Sequence, residues 1–452
     1  MIRLTYIFHS GFVVETAAGI LVFDYWLDLA NVLPKCLSRR GGRHVYVFAS
    51  HFHEDHFTKD IFGWKQSLGS GVTYILSKDI LKHRRADKGE ADVWLAKGGT
   101  WADENIQVTA TGSNDSGVSW IVETEGKRIF HAGDLCNWYA RFLADGNKDR
   151  QPYSEELGED IDPVAEEKRF LGELKGIQKI AKGFDLVMFP VDGRIGNGYT
   201  LGARQFIERF QVGMFVPMHF VLSGFESAWR MEPFCQEKHV PFWRIACEGD
   251  SIVLADGVSI RHTRMEDIPR LQALFSHARS FMLETGNPSQ WTAAYPSEEL
   301  LTTDIASGDS YVMEDEKQTV IATFVLRGGV DPTYDVIYEG RWLNDAPYAT
   351  IHRIASDGTR KGILHLVMQF AQLDYNNIRI DTHRDNQVMR NAIAKEGFVY
   401  CCIIHCAGTA TKEWPISSGS KEYRRYANRI SPINPRLSPL LFEEFALHLQ
   451  FV

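Results

Sequence analysis

The sequence has little of what marks membrane, nucleic-acid-binding or disulfide-stabilised proteins. None of its apolar runs approaches the roughly 20 residues of a membrane helix, and its start, MIRLTYIFHS, lacks the basic and apolar segments of a signal peptide. The net charge of −9 and the pI near 6.0 oppose a general nucleic-acid binder, which carries a basic excess. Seven scattered cysteines, an odd number, do not suit a disulfide framework. We therefore expect a cytoplasmic protein with reduced thiols that acts on small-molecule substrates, without a membrane or nucleic-acid partner.

The length and the pattern of the chain predict two domains. At 452 residues the chain is too long for one ordinary core. Its first part alternates β-rich segments such as LTYIFHSGFVVET with glycine and polar turns, and helical spacing begins at Pro163. A second pattern of strands and amphipathic helices begins near residue 258. We place the boundary at Asp256-Gly257, which gives domains 1–257 and 258–432. In the tail, SPINPRLSPLLFEEFALHLQFV, an apolar helix-like end follows three prolines, and we expect residues 433–452 to dock on one of the domains.

Residues 48–57 read FASHFHEDHF, which places three histidines and two carboxylates directly after an apolar, strand-like run. His51 and His53 are two apart, so both can point one way from an extended loop end. Asp55 and His56 follow on the turn and face a second site. Imidazoles and carboxylates are ligands of divalent ions such as zinc. Burying this polar density unpaired would cost on the order of several kcal/mol, so the segment predicts metal binding.

Two metal sites need further ligands from elsewhere in the chain. Asp134 in IFHAGD lies at a strand end, where a carboxylate can bridge two ions, and His219 in VPMHF lies at another. The other notable histidines and cysteines are expected to pack in the interior or within strands: His9, His44, His83, His131, Cys401 and Cys402.

The order H-x-H-x-D-H, then G-D after a strand, then His after another strand, resembles the metallo-β-lactamase superfamily over about residues 1–255. The resemblance implies an αββα sandwich that holds two divalent metal ions at one edge of its sheets. The segments IFHSGFVVE and ILVFDYW are most similar to the lactonase or phosphodiesterase-like branch, in which an early strand ends in Asp. Asp24 matches that position, and we expect it to support the metal-binding loop from behind the ligands.

One position departs from the family pattern. The family supplies a further His before the G-D motif, but TATGSNDSGVSW contains none, and Asp115, or less favourably Asn114, stands there. A carboxylate would favour Mn or Fe over Zn at that site; alternatively, the site is weak or empty. Position 53 is His where diiron oxygen-reducing relatives carry Glu, which favours hydrolysis. The resemblance thus implies as metal ligands His51, His53, Asp55, His56, Asp115, Asp134 and His219.

The implied reaction is attack by metal-bound hydroxide on an ester, lactone, amide or phosphodiester. Asp55 and His219 are the candidate catalytic residues, with Asp55 orienting the water or taking its proton. Arg194 and Tyr199 lie in GRIGNGYT, which would either bind a substrate anion or form an ordinary surface loop.

A second constellation lies at residues 348–364, YATIHRIASDGTRKGIL, where a strand runs into a basic, glycine-containing loop and then a helix. Backbone amides at such a helix start suit a pyrophosphate. A strand, an Asn at a helix start and a terminal G-F follow in IRIDTHRDNQVMRNAIAKEGF. Together with IRHTRMEDIPRLQALF, these segments resemble GCN5-related N-acetyltransferases (GNAT) over about residues 259–430. The resemblance implies an α/β domain with a mixed central sheet that binds acetyl-CoA, so the whole chain would be α+β.

The resemblance assigns cofactor contacts by matching position. Asn386 would hold acetyl-CoA near its thiol end. The pantetheine and pyrophosphate contacts would come, respectively, from Ile354, Ala355 and Ser356, and from Arg360, Lys361 and Gly362. The loop departs from the family at Thr359 and Leu364, and Ile393 stands where a Tyr often protonates the thiolate. Glu339 would be either a general base or a solvated strand end.

These observations predict a bifunctional enzyme, in which a hydrolase with two divalent ions (Zn, or else Mn or Fe) is fused to an acetyl-CoA-dependent N-acetyltransferase. Hydrolysis that exposes an amine for acetylation would link the two reactions. One alternative is a hydrolase regulated by a non-catalytic acyl-CoA-binding module, since the Tyr is lacking. Another is a metal-dependent nuclease, which the acidic charge disfavours.

Overall fold

In the computed structural model, which describes residues 1–144, 162–407 and 441–450, the chain divides into two units. The first comprises Met1–Ser259. The second comprises the described residues from Ile260 onward, except Glu316–Gln318, which group with the first. Within the described ranges no helix combines the length and the apolar character needed to cross a membrane.

The strands of the first unit form two large sheets and one small pair. They are β1 (Ile2–Phe8), β2 (Gly11–Glu15), β3 (Gly19–Phe23), β4 (His44–Ala49), β5 (Val72–Ser77), β6 (Val93–Leu95), β7 (Thr100–Ala102), β8 (Gln107–Gly112), β9 (Val118–Thr124), β10 (Lys127–His131), β11 (Gly183–Phe184), β12 (Leu186–Pro190), β13 (Gln211–Val212), β14 (Phe215–Met218) and β15 (Ser251–Ala255). The order in one sheet is β15-β1-β2-β3-β4-β5-β6 and in the other β14-β12-β10-β9-β8-β7, and β11 pairs with β13.

The first unit has eight α-helices within the described residues. They are Val32–Ser38, Trp64–Leu68, Lys78–Lys82, Arg141–Ala144, Pro163–Gln178, Leu201–Ile207, Phe225–Trp229 and Glu232–Glu237. The helix predicted from Pro163 is confirmed. It begins with proline in the first turn, and the Asp162 side chain accepts a hydrogen bond from the Val164 amide.

Successive residues of β3 pack into different apolar clusters. Leu21 and Phe23 face the second sheet, whereas Ile20 and Val22 pack with the helix Val32–Ser38. Strands buried on both faces read as continuous apolar runs, which explains the segment GILVF. The expected αββα sandwich is thereby confirmed.

Strand direction decides which loops meet at the edge of the sandwich. β3, β4, β5 and β6 are parallel, and β10, β12 and β14 are parallel in the other sheet. β1 runs in the same direction as β3, because each is antiparallel to β2. The loops after β1, β3 and β4 therefore leave one edge of the first sheet, and those after β10, β12 and β14 leave one edge of the second. These six loops carry the candidate metal ligands and their supporting residues, apart from Asp115.

The second unit has a mixed central sheet, as expected. Its strands are β16 (Val258–His262), β17 (Ser310–Asp315), β18 (Val320–Gly328), β19 (Ile337–Tyr338), β20 (Ala349–Ser356), β21 (Asn377–His383), β22 (Val399–Ala407) and β23 (Leu441–Gln450), in the order β19-β22-β23-β21-β20-β18-β17-β16. β20 and β21 are parallel. Its α-helices within the described residues are Ile268–Glu284, Glu298–Ala306, Ile363–Ala371 and Gln387–Lys395.

The prediction of a helix-like end in the 433–452 tail is wrong, because Leu441–Gln450 is strand β23. It lies between β21 and β22 and pairs antiparallel with both. In FALHLQ the larger apolar residues recur at every second position, which is the period of a strand. Pairing on both edges satisfies backbone groups that β21 and β22 would otherwise leave open.

Candidate functional site

The segment after β4 turns across the carboxyl edge of the first sheet and brings its histidines together. His51 and His56 are fully buried, and His53 is half-buried. His51 Nε2 and His53 Nδ1 lie 2.9 Å apart. Two imidazole nitrogens this close are arranged as ligands of one cation are, since each presents an acceptor to the same point.

Asp134 lies between two groups of donor atoms. Its Oδ2 is 3.2 Å from His51 Nε2, and its Oδ1 is 3.0 Å from His56 Nε2 and 3.4 Å from His219 Nε2. The two carboxylate oxygens thus face different imidazoles. This is the arrangement expected of a carboxylate shared by two ions.

Asp55 faces the opening of the site on the side of His56 and His219. Its Oδ2 lies 3.3 Å from His9 Nε2, 3.8 Å from His219 Nε2 and 3.9 Å from His56 Nε2. The expectation that His9 packs as an ordinary core residue is wrong: its ring is fully buried, but it lies within this group. His44 is half-buried, while His83 is exposed and stacks on Phe52 with ring centroids 3.7 Å apart, so His83 is not a core residue either.

Two of the imidazoles contact a carboxylate through Nδ1, the ring nitrogen on the side away from the centre. Asp24 Oδ2 lies 2.7 Å from His56 Nδ1, and Asp192 Oδ2 lies 2.9 Å from His219 Nδ1. Each carboxylate keeps a proton on Nδ1 and leaves the Nε2 lone pair directed into the centre. Asp24 therefore lies against His56 on the side of the ring opposite Nε2, and its support of a metal ligand stays a prediction.

Asp24 also supports His51 through Ser50. The Ser50 hydroxyl donates to Asp24 Oδ2 at 2.6 Å, and His51 Nδ1 donates to that hydroxyl at 3.0 Å. This relay again leaves an Nε2 lone pair directed into the centre.

His131, which we expected to pack in its strand, stacks on Phe23. Its ring accepts a hydrogen bond from the Gly133 amide and donates Nε2–H to the Ser10 carbonyl.

Several buried polar atoms of the centre have no hydrogen-bond partner among the described residues. They are His9 Nδ1 and Nε2, His56 Nε2, Asp134 Oδ1 and His219 Nε2. The Nε2 atoms of His9 and His56 do lie near carboxylate oxygens, but the directions do not make hydrogen bonds. Burying such groups unsatisfied is costly, and divalent cations would satisfy them. The donor set therefore fits a two-ion centre.

Burial and neighbouring charges shift the pKa values of several groups in the centre. Burial alone would lower the pKa of His56, but the Asp134 and Asp24 carboxylates outweigh it and raise that pKa well above its ordinary value. Burial would raise the pKa of Asp134, but three neighbouring imidazoles hold it well below its ordinary range. Burial lowers the pKa of His9 to about 4, so its ring is neutral at pH 7 and can act as a ligand or acceptor.

The turn 113–117 places Asp115, rather than Asn114, at the centre. Asp115 groups with His53 and Asp134 as a possible cation ligand. Asn114 instead hydrogen-bonds through both its amide atoms to the Cys136 backbone. Partial burial of its carboxylate and the negative charge of Asp134 raise the pKa of Asp115 above its ordinary value. At Gly117, with φ of 65°, a Cβ atom would overlap the Ser50 carbonyl oxygen, so glycine lets this turn reach the metal-binding loop.

Three residues of the centre have strained backbones. His9, Asp24 and His219 have φ angles of 53°, 40° and 64°, in the left-handed region that side chains other than glycine rarely adopt. Such conformations cost on the order of 1–3 kcal/mol each and persist where surrounding contacts impose them. Strain at three strand ends is consistent with a functional site.

The two residues of the GRIGNGYT loop differ in environment. Arg194 donates to both Asp192 oxygens, and its Nη2 lies 3.3 Å from His219 Nδ1 at the rim. Tyr199 donates to the Ser227 carbonyl at 2.6 Å. Trp138 forms another part of the rim, with its ring centroid 5.2 Å from that of His219. Arg194 is therefore the better placed of the two to meet a substrate.

In the second unit, β20 and β21 pair over only part of their length. Ala349–Ile351 pair in parallel with Ile378–Ile380, but β20 continues to Ser356 and β21 to His383. A bulge follows, in which Arg353 has a φ of 52° and the register with β18 shifts. The predicted pantetheine residues lie on this part of β20; Ala355 is buried, and Ile354 and Ser356 are half-buried.

The predicted pyrophosphate loop follows directly. Asp357 fixes its turn by accepting from the Thr359 amide and hydroxyl, and Arg270 donates to the same carboxylate. Gly362, with φ of 79°, starts the helix Ile363–Ala371. Arg360 is half-buried, while Lys361 and Gly362 are exposed, as a phosphate contact would require.

The remaining predicted residues are placed less favourably. Asn386 caps its helix by accepting from the Met389 amide, and it donates to Gln290. Ile393 is buried, and Glu339 is exposed beyond β19. Both amide atoms of Asn386 thus have structural partners, and its cofactor contact stays a prediction.

The chain is similar to known proteins and solved structures over parts of its length. No protein-family model matches the chain. The chain is 26% identical over 233 residues to a UPF0173 metal-dependent hydrolase of Korarchaeum cryptofilum. The aligned region covers 50% of this chain and 87% of that protein. Similar solved structures include a GNAT-family acetyltransferase from Streptococcus agalactiae (23% identity, TM-score 0.33, 44% of this chain and 99% of that one). Another is Igni18, a metallo hydrolase from Ignicoccus hospitalis (17% identity, TM-score 0.38, 56% of this chain and 99% of that one).

By its sheet order and strand directions the chain joins a metallo-β-lactamase-like fold to a GNAT-like fold. In the metallo-β-lactamase unit, sequence reasoning passed over two residues of the centre, His9 and Asp192. His9 directly follows β1 and Asp192 lies two residues after β12, so both lie just beyond a strand end, as Asp134 and His219 do. That position was the available signal for both.

Proposed function

We propose that the metallo-β-lactamase unit is a two-ion, metal-dependent hydrolase and that the GNAT unit binds acetyl-CoA and transfers its acetyl group to an amine. The position of Asp134 between two groups of donor atoms carries the first part. The name of the Korarchaeum cryptofilum relative, a metal-dependent hydrolase, supports it. Small molecules are the proposed substrates and the cytoplasm is the proposed location; the six cysteines whose side chains are described are all free.

The residues divide into two ligand groups that share Asp134. His51, His53 and Asp115 would hold one ion. His56, His219 and Asp55, with His9 beside them, would hold the other. When bound, the two ions would supply an activated water and would polarise the carbonyl or phosphoryl oxygen of the substrate. The histidine-rich group suits Zn, and the carboxylate of Asp115 makes Mn or Fe more acceptable in the first group.

The chain's own groups position the reaction. Asp24 and Asp192 keep protons on the Nδ1 atoms of His56 and His219, so both rings stay fixed. Asp55 is about one-third exposed toward the opening, where its carboxylate would orient the attacking water or take its proton. Arg194 at the rim would contact an anionic part of the substrate.

The test of the hydrolase combines metal analysis with a substrate panel. We expect about two divalent ions per chain. We also expect hydrolysis of at least one ester, lactone, amide or phosphodiester, lost on chelation and restored by Zn, Mn or Fe. A chain with one ion or none, inactive after each metal is supplied, would contradict the proposal. Oligonucleotides in the same panel test the nuclease alternative.

The unpaired ends of β20 and β21, with the basic loop that follows β20, support acetyl-CoA binding. An unpaired strand edge can hydrogen-bond an extended amide-containing arm, and amides at a helix start suit phosphate. Calorimetry should show acetyl-CoA binding that weakens about tenfold in Arg360→Ala/Lys361→Ala, while the exposed Lys395→Ala control binds normally. Equal affinity in all three proteins would contradict the predicted phosphate contact.

A further inference from the structure

A histidine held between two carboxylates lies where β20 and β21 separate. The last pair of the parallel ladder is Ile351 with Ile380, so His352 and Asp381 are the next residues along their strands. His352 Nε2 lies 2.7 Å from Asp331 Oδ2, and its Nδ1 lies 3.6 Å from Asp381 Oδ1. His352, Asp331 and Asp381 are not among the residues predicted to contact acetyl-CoA.

Hydrogen bonds hold the Asp331 carboxylate in position against the His352 ring. Its Oδ1 accepts from the Thr333 amide at 2.9 Å and hydroxyl at 2.6 Å, and its Oδ2 faces His352. Burial alone would raise the pKa of Asp331, but the hydrogen bonds from His352 and Thr333 outweigh it and hold the pKa well below its ordinary value. An ionised Asp331 keeps a proton on Nε2 of His352 and thereby leaves Nδ1 as the basic nitrogen.

On the other side of the ring, Nδ1 makes no hydrogen bond among the described residues. The 3.6 Å between Nδ1 and Asp381 is beyond hydrogen-bonding distance, and the His352 side chain keeps 17% of its surface exposed. Asp381 is itself held by the Tyr334 hydroxyl, which donates to its Oδ1 at 2.6 Å. A proton arriving on Nδ1 would be stabilised by this second carboxylate. Arg353, the next residue, points to a different partner, since its guanidinium binds both oxygens of the buried Asp304.

We propose that His352 is the general base of acetyl transfer in the GNAT unit, with Asp331 as its positioning residue and a primary amine as the acceptor. The assignment rests on the proposed transferase function. The amine nitrogen attacks the thioester carbonyl as Nδ1 of His352 takes its proton. The C–N bond forms, the C–S bond breaks and the electron pair leaves on the CoA sulfur. The proton on His352 then passes to that thiolate, so the products are the acetylated amine and free CoA.

The test uses the full chain with acetyl-CoA and three acceptors: butane-1,4-diamine, an amino sugar and a peptide α-amine. Release of the CoA thiol gives kcat, and calorimetry gives the Kd of acetyl-CoA. His352→Gln should lower kcat by about 100-fold or more while that Kd changes by less than about twofold, because a general base acts after binding. Added imidazole should restore part of the rate to His352→Ala.

Two further variants test the positioning role of Asp331 and provide a control histidine. Asp331→Asn leaves the ring in place and should give a smaller loss of kcat with the same unchanged Kd. His365→Gln changes a more exposed histidine paired with Glu396 and should behave as wild type. A His352→Gln protein with wild-type kcat, or with a loss explained by weaker acetyl-CoA binding, would overturn the assignment.

The proposed function and this assignment fail in different ways. If wild type binds no acetyl-CoA, the transferase function falls and the role of His352 falls with it. If wild type binds acetyl-CoA but releases no thiol with any acceptor, the unit is a binding module and His352 is no base. If transfer occurs equally well without His352, only the present assignment is lost.

Discussion

The two halves of the candidate metal centre are built differently. In the closed half, formed by Asp55, His56 and His219, the imidazoles are buried and each is held from behind by its own carboxylate. In the open half, formed by His51, His53 and Asp115, His53 is half-buried and Asp115 is exposed. Among the described residues, support in this half reaches only His51, through the Ser50 hydroxyl. Asp134 is common to both halves.

This difference predicts a difference in metal affinity. A carboxylate behind an imidazole fixes the ring and raises its basicity, and its removal typically costs about 10–100-fold in metal affinity. The closed half has two such carboxylates and should bind the first ion more tightly. The open half should lose its ion first on dilution or mild chelation. The replacement of the expected His by Asp115 falls in the half that is already less supported.

Removing Asp134 should have the largest effect on metal content and on hydrolysis, since this carboxylate is common to both halves of the centre. Asp134→Ala takes one oxygen from each half, so both ions should be lost and hydrolysis should fall by about 10²–10³-fold or more. Elemental analysis and the hydrolase panel measure this, with the exposed Glu237→Ala as a control. Retention of two ions would show that Asp134 does not bridge the halves.

Asp115→Ala should separate the halves. We expect about one ion to leave and about one to stay, because the closed half keeps all its ligands. Hydrolysis should drop sharply, whereas Asn114→Ala should leave the ion count unchanged, since Asn114 contacts the Cys136 backbone instead. An unchanged count in Asp115→Ala would mean that the open half is empty or held without this carboxylate.

Removal of the two supporting carboxylates, Asp192 and Asp24, should weaken metal affinity in different halves of the centre. Asp192→Asn should weaken only the closed half, by about 10–100-fold in affinity. Asp24→Asn should weaken both halves, because Asp24 supports His56 directly and His51 through Ser50. Competitive titration with a metal-binding dye would resolve the two affinities. Identical profiles for the two variants would contradict the division drawn here.

His9 should give the smallest effect. His9→Ala should keep both ions, since His56, His219, Asp55 and Asp134 still surround the closed half, but activity should fall about tenfold as Asp55 loses a neighbour. His9→Gln retains a donor near Asp55 and should fall less. Loss of an ion in both variants would instead make His9 a ligand.

Much of this protein could be predicted from short stretches of sequence. The HFHEDH segment supplies candidate ligands of both halves within one short stretch, so their proximity needs no knowledge of the fold. The GTRKG loop and the helix after it are likewise local. Asp134 and His219 could be found because each follows a strand, and the two resemblances led to the αββα and GNAT folds.

Other features depended on partners distant in the sequence. The FALHLQ segment alternates as a strand does, yet its apolar character also permitted a helix; the open edges of β21 and β22 decided the outcome. Asp115 rather than Asn114 faces the centre because the Cys136 backbone binds Asn114. In neither case do the neighbouring residues contain the deciding partner.

The sequence by itself determined which residue types are available: a histidine–carboxylate cluster in the first unit and a basic, glycine-containing loop in the second. Only the tertiary structure decided which strand ends meet. It brought His9 and Asp192 to His219 and placed His352 between Asp331 and Asp381. The physical reason is that a ligand's partner is set by sheet pairing and strand direction, which join residues far apart along the chain, whereas sequence patterns report mainly on neighbours.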